Sequence, residues 1–192
     1  ENPMRYGLSS MIPAFFITGV VLLPDPAHAE KKDWIFDAVG LDQVILELDA
    51  AEVTLKGTTG KTVHVAVEQK EFSERCTTEA RRDGKVVEVE SDIDSDGRSN
   101  RCRVSVVLSV PSSVRVELDS GADSVKLDDL DATLELDIGA GDITGSIRSA
   151  GLNAATGAGN IELRISRAPL DVKTGAGNIE LEIVGSPAGT IR

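Results

Sequence analysis

The chain has 192 residues, 41% of them hydrophobic but only 3% aromatic, and a formal net charge of −12 at neutral pH. That length holds one domain or two small ones, and that charge argues against a surface built for nucleic-acid phosphates. Two histidines, His28 and His64, leave little material for histidine catalysis or a zinc site, and Val, Leu and Ile must carry the core, as in an all-β protein.

The start reads as a secretory signal. Met4 and Arg5 precede an apolar stretch from Met11 to Leu23, and Ala27-His28-Ala29 stand before Glu30. A positive start, an apolar middle and an A-x-A site are the three expected parts, so residues 1–29 belong to export rather than to the fold. Pro13 interrupts the stretch, which is short for a membrane span, and no transmembrane span is expected in the mature segment. Glu1-Asn2-Pro3 read as upstream translation or a fragment's boundary. Cleavage would remove Glu1, Arg5 and Asp25 and change the charge from −12 to −11. No cysteine near the site offers a lipid anchor. The expected location is the periplasm, the outer surface or the extracellular space.

Residues 30–111 read as a less regular β segment. Gln43 to Leu48 and Glu52 to Lys56 are two strand-like runs joined at Asp49-Ala50-Ala51. Thr58-Thr59-Gly60-Lys61 is a turn, and Thr62 to Glu68 alternates with Val63, Val65 and Val67 on one side. After a turn at Asp83-Gly84, residues 85–110 read as a hairpin with a long polar tip. Cys76 and Cys102 bracket a charged insert, and in an exported chain an even count suggests a disulfide. Closing a loop of about 26 residues is worth on the order of 3 kcal/mol by the chain-entropy model. The segment is expected to cap the open end of the regular stack formed by residues 112–192, protecting strand edges.

Residues 112–192 repeat. Ser120-Gly121-Ala122, Ile138-Gly139-Ala140-Gly141, Thr156-Gly157-Ala158-Gly159 and Thr174-Gly175-Ala176-Gly177 recur every 18 residues. Between them apolar and charged residues alternate, as in Ile161-Glu162-Leu163-Arg164-Ile165, the period of a strand with one buried face. Val125, Ile143, Ile161 and Ile179 share one slot, and Val116, Leu134, Leu152 and Leu170 another. Fixed periods of this kind mark stacked repeats. The fold expected is therefore a single-stranded β-helix or β-solenoid-like stack, with two short strands and two turns per coil and coils about 4.8 Å apart. Gly121, Gly139, Gly141, Gly157, Gly159, Gly175 and Gly177 are read as structural turn residues that permit positive φ and close backbone approach. The alanines between them would point a methyl into a narrow interior corner. Asp142, Asn160 and Asn178 would bond to one another or cap turn backbone groups. Another Gly-Ala-Gly is due near 193, so the natural protein is expected to run on past Arg192.

Few residues suggest chemistry. Asp92, Asp94 and Asp96, followed by Gly97, match the first half of a calcium loop, yet the twelfth position is Arg103 rather than an acid. A looser calcium site at a hairpin tip stays open, as does a plain acidic turn. Nonapeptide calcium rolls need aspartate-glycine turns on both sides, and the opposite turns here, such as Gly145-Ser146, lack them. Glu117, Glu135, Asn153 and Asp171 would form an outward, mostly acidic column. Arg164 would face Glu182, and Glu162 would sit near Glu180. No catalytic triad, P-loop or dinucleotide fingerprint appears.

Val110-Pro111, Val114-Arg115-Val116-Glu117-Leu118 and the repeated Gly-Ala-Gly-Asp/Asn-Ile resemble a bacterial family of exported adhesin-like proteins with β-strand repeats, related to the head domain of autotransporter adhesins. The resemblance covers about residues 40–192 and departs at the insert 76–102. It implies a β-helix-like solenoid outside the cytoplasm with no established activity and no catalytic residues to carry over. The expectation is a non-catalytic envelope or surface scaffold without a cofactor, meeting an unknown protein or glycan. The second reading is a calcium- or glycan-binding module, and the third a polysaccharide-cleaving β-helix enzyme.

Overall fold

Alternating sequence produces strands throughout. The computed structural model describes residues 31–71, 76–93, 103–122, 124–148, 151–166 and 169–184. It is all-β and rich in parallel pairing. In chain order the strands are β1 (Lys31–Asp37), β2 (Gln43–Thr58), β3 (Thr62–Glu71), β4 (Cys76–Asp83), β5 (Val86–Ile93), β6 (Arg103–Pro111), β7 (Arg115–Ala122), β8 (Val125–Leu130), β9 (Thr133–Ala140), β10 (Ile143–Ile147), β11 (Gly151–Ala158), β12 (Ile161–Ile165), β13 (Leu170–Ala176) and β14 (Ile179–Ile183).

The long strand β2 organises the sheet. Its first half pairs with β5 and β7, and its second half with β6 and β8. Two ladders therefore leave it. The first runs β4-β5-β2-β7-β9-β11-β13 and the second β1-β3-β6-β2-β8-β10-β12-β14. From β5 to β13 and from β6 to β14 all pairs are parallel; only β4, β3 and β1 join by antiparallel pairing. Among β7–β14, partners stand 18 residues apart, as in Val116–Leu134–Leu152–Leu170 and Val125–Ile143–Ile161–Ile179. The exception is Ile147 opposite Leu130, beyond a bulge between Gly145 and Ile147. Adjacent acids at Asp128-Asp129 break the alternation where this bulge forms, and Asp129 takes a positive φ of 52°. Both ladders turn their apolar face to one core, in which Leu46, Leu55, Leu118, Leu127, Leu136 and Ile161 are almost wholly shielded from solvent.

Three expectations change. Residues 85–110 are not a hairpin: β5 joins the first ladder and β6 the second, while β5 forms its antiparallel pair with β4 across Asp83-Gly84. Alternation identifies a strand without naming its partner. The two runs around Asp49-Ala50-Ala51 are one continuous strand, and the change of ladder takes place within it. The alanines Ala140, Ala158 and Ala176 are exposed, not interior. Alternation turns the residue before each Gly-Ala pair inward, namely Ser120, Ile138 and Thr156, all buried, and Thr174, half-buried.

Candidate interaction surfaces

The corners come first, because they fix everything outward of them. A Cβ on Gly157 would lie 2.5 Å from the carbonyl oxygen of Gly139 one rung away, closer than side chains tolerate. Gly159 combines a φ of 156° with a Cβ position 2.0 Å from the Gly141 oxygen, so both sterics and backbone conformation demand glycine. The next residue builds a ladder. The Asn160 amide N–H donates to Asp142 Oδ1 at 2.7 Å, and the Asn178 N–H donates to Asn160 Oδ1 at 3.0 Å. On the inner side the Thr156 hydroxyl donates to the Gly141 carbonyl at 3.0 Å and the Thr174 hydroxyl to the Gly159 carbonyl at 2.8 Å. These hydroxyls meet corner carbonyls that would otherwise be left inside without a partner. The threonine contacts escape a reading of the sequence; the one available signal is a hydroxyl residue recurring before the Gly-Ala pair.

The outer face of the first ladder is acidic. One column reads Glu88–Ile45–Glu117–Glu135–Asn153–Asp171 and its neighbour Glu90–Glu47–Asp119–Asp137–Ala155–Lys173. At one end Arg81 bonds Glu88 at 2.8 Å and Glu90 at 2.9 Å, and the Glu88 hydrogen bond, then the Glu90 charge, hold its guanidinium above the usual pKa. At the other end Lys173 reaches Asp171 at 3.1 Å. The second ladder places Arg164 3.8 Å from Glu182 and sets Glu162 beside Glu180. Such exposed pairs contribute little each.

Two shallow grooves cross these surfaces. One of about 450 Å³ runs over Arg115, Glu135, Asn153, Pro169 and Asp171. A second, about 720 Å³, is lined by Thr58, Thr59, Ser112, Asp129, Asp131 and Arg148. Arg148 forms an ion pair with Asp129 there. Hydroxyls, carboxylates and one guanidinium suit a hydroxyl-rich ligand better than an apolar one.

Of the residues read as a calcium loop, Asp92 alone falls within the described residues. Asp92 lies on β5 opposite Thr77, while Asp94 and Asp96 fall outside the described residues. Cys76 opens β4 opposite Ile93, and Cys102 also falls outside. Among the described residues no group of three His, Cys, Asp or Glu could hold a metal ion, and no helix is long and apolar enough to cross a membrane.

No protein-family model and no curated protein matches the chain. Solved structures do. A "putative cell adhesion protein" from Clostridium sporogenes superposes with a TM-score of 0.57 at 11% identity, over 81% of this chain and 100% of the other. A "putative adhesin" from Parabacteroides merdae gives 0.28 at 9% identity over 85% and 95%. A "putative lipid binding protein" from Parabacteroides distasonis gives 0.29 at 14% over 84% and 95%. The last two share too little geometry to carry weight. The first shows that the chain has an adhesin-like β fold, and at that identity the likeness is one of fold alone.

Proposed function

We propose that this is a non-catalytic, exported envelope or surface protein, an adhesin or scaffold, whose β-solenoid of 18-residue coils presents its outer faces to a partner. The observation that carries the reading is the register: an inward apolar column and an outward polar column continue from rung to rung at the same spacing. A stack of this kind is a stiff display surface, not an enclosed reaction chamber. The fold likeness to a protein described as a "putative cell adhesion protein" supports the same direction, as does the signal-like start of the chain.

The partner class favoured by the hydroxyl- and carboxylate-lined groove at Asp131 and Ser112 is a glycan. Labelled protein is applied to a glycan array and to whole bacteria, with Asp131→Asn as the control. Saccharide binding weakened by that change supports the reading; no retention on glycans, cells or envelope protein removes it. Export is read by N-terminal sequencing from an expressing bacterium, where a chain starting at Glu30 is expected and retention of residues 4–29 in the cytosol contradicts it. Release of reducing ends from envelope polysaccharide would overturn the non-catalytic part. A rise in melting temperature with millimolar calcium would move the assignment to the metal-binding alternative at Asp92, Asp94 and Asp96.

A further inference from the structure

Strand pairing gives the groove at Asp131 a direction. Its walls come from four turns at one corner of the stack: Ser112 follows β6, Thr59 follows β2, Asp131 follows β8 and Arg148 follows β10. Those four strands lie side by side in the order β6–β2–β8–β10. The groove therefore runs along the stack axis across three inter-strand steps, about 14 Å in all. Its chemistry changes in order along that line. The hydroxyls of Ser112, Thr58 and Thr59 come first, then the carboxylates of Asp129 and Asp131, then the Arg148 guanidinium.

Not all of these charges are available to a ligand. Arg148 is tied to Asp129 by an ion pair, and the Asp129 backbone N–H donates to Ser146 Oγ at 3.3 Å. Asp129 also takes a φ of 52°, the only positive φ outside glycine among the described residues, and backbone strain of this kind gathers at binding sites. Thr58 Oγ1 accepts the Gly60 N–H at 3.1 Å and keeps its own proton to donate. The side chains of Thr59, Ser112 and Asp131 are exposed and make no hydrogen bond among the described residues. Two carboxylates against one guanidinium leave a single negative charge in a row of hydroxyls.

That balance discriminates among glycans. An acidic polymer meets a negative groove in a chain of net charge −12 and is repelled. A polymer of amino sugars brings hydroxyls to Ser112, Thr58 and Thr59 and an ammonium to Asp131. Each linked pyranose ring advances its chain by close to one rung, so successive units meet successive turns. We propose that the groove takes a linear polymer of amino sugars with free amines, laid along the stack axis and read over about three units by Ser112, Thr59 and Asp131. The inference rests on the reading of a glycan partner and names the kind of glycan.

The test is isothermal titration of the full chain with β-1,4-linked glucosamine oligomers, from monomer to hexamer, beside their N-acetylated counterparts and galacturonic acid oligomers. Affinity should climb to about three units and level off beyond. The amine series should bind about threefold more tightly than the acetylated one, the worth of one exposed ion pair. That gap should close in about 0.5 M salt, and the uronates should bind weakest. Asp131→Asn should erase the amine preference. Ser112→Lys, two strands away across β2, should weaken the amine trimer about threefold and leave the monomer unaffected. Both positions are exposed, and melting by circular dichroism verifies that each variant folds. Affinity that ignores chain length, or is equal for amines and uronates, overturns the inference while a glycan partner stands. Silence from all three series, with other sugars held on the array through Asp131, does the same. Silence on the array as well removes both.

Discussion

The rungs β7–β14 and the segment β1–β6 solve the same problem in different ways. In the rungs each strand meets a copy of itself, so one residue choice satisfies two neighbours and the pattern persists at 18 residues. In β1–β6 parallel strands give way to antiparallel β4, β3 and β1, whose outward residues include Arg81, Glu79, Lys31 and Asp33. Charge at an edge discourages unwanted pairing. The repeated region thus derives stability from sameness, and the first region provides an ending that sameness cannot supply.

Glycine substitutions should break that comparison most sharply. Gly159→Ala puts a Cβ 2.0 Å from the Gly141 oxygen at a φ of 156°, and a loss of about 3 kcal/mol or more is expected in urea unfolding. Gly84→Ala in the β4–β5 turn has a φ of 56° and nothing within 4 Å, so about 1 kcal/mol is expected. Equal losses would mean that the corners are no more constrained than an ordinary turn.

Next in size is the core. Leu136→Ala, at 2% exposure in mid-stack, should cost about 2–5 kcal/mol in the same unfolding experiment. Ile183→Ala on β14, where the side chain is 40% exposed, should cost less than about 1 kcal/mol in the dilute chain. A large penalty at Ile183 under those conditions would show the edge already covered.

Smaller effects separate hydroxyls that look alike in sequence. Thr156→Val removes the donor to the Gly141 carbonyl and should cost about 1–2 kcal/mol. Ser120, earlier in the same column, buries its Oγ without a hydrogen-bond partner among the described residues, so Ser120→Ala should change stability by less than about 0.5 kcal/mol. Smallest of all, Arg164→Ala loses an exposed 3.8 Å pair with Glu182, and thermal melting should show a loss below about 0.5 kcal/mol.

The repeated half of the fold was legible because a strict period makes every partner a matter of counting: Val125, Ile143, Ile161 and Ile179 could be aligned without knowing the sheet. The first half was not, because alternation in Lys85 to Glu90 and Arg103 to Val110 says which side faces in and nothing about which strand lies alongside. Small size at Ala158 suggests an interior site, whereas the stacked glycines beside it impose the narrowness. The groove at Asp129 and Arg148 unites loops separated by many residues, and only the bulge signalled by two successive acids hints at it.

The register has a mechanical consequence. Eighteen residues stretched end to end span about 60 Å, yet one rung advances the stack by only about 4.8 Å. Tension applied along the axis at the β14 end would strip rungs singly, each leaving its neighbour's ladder intact until its own turn. Single-molecule pulling should then record repeated lengthenings of about 55 Å, the extended span less the rise already present. A tether built this way yields in small, recoverable instalments, and its extensible reserve is set by the count of rungs.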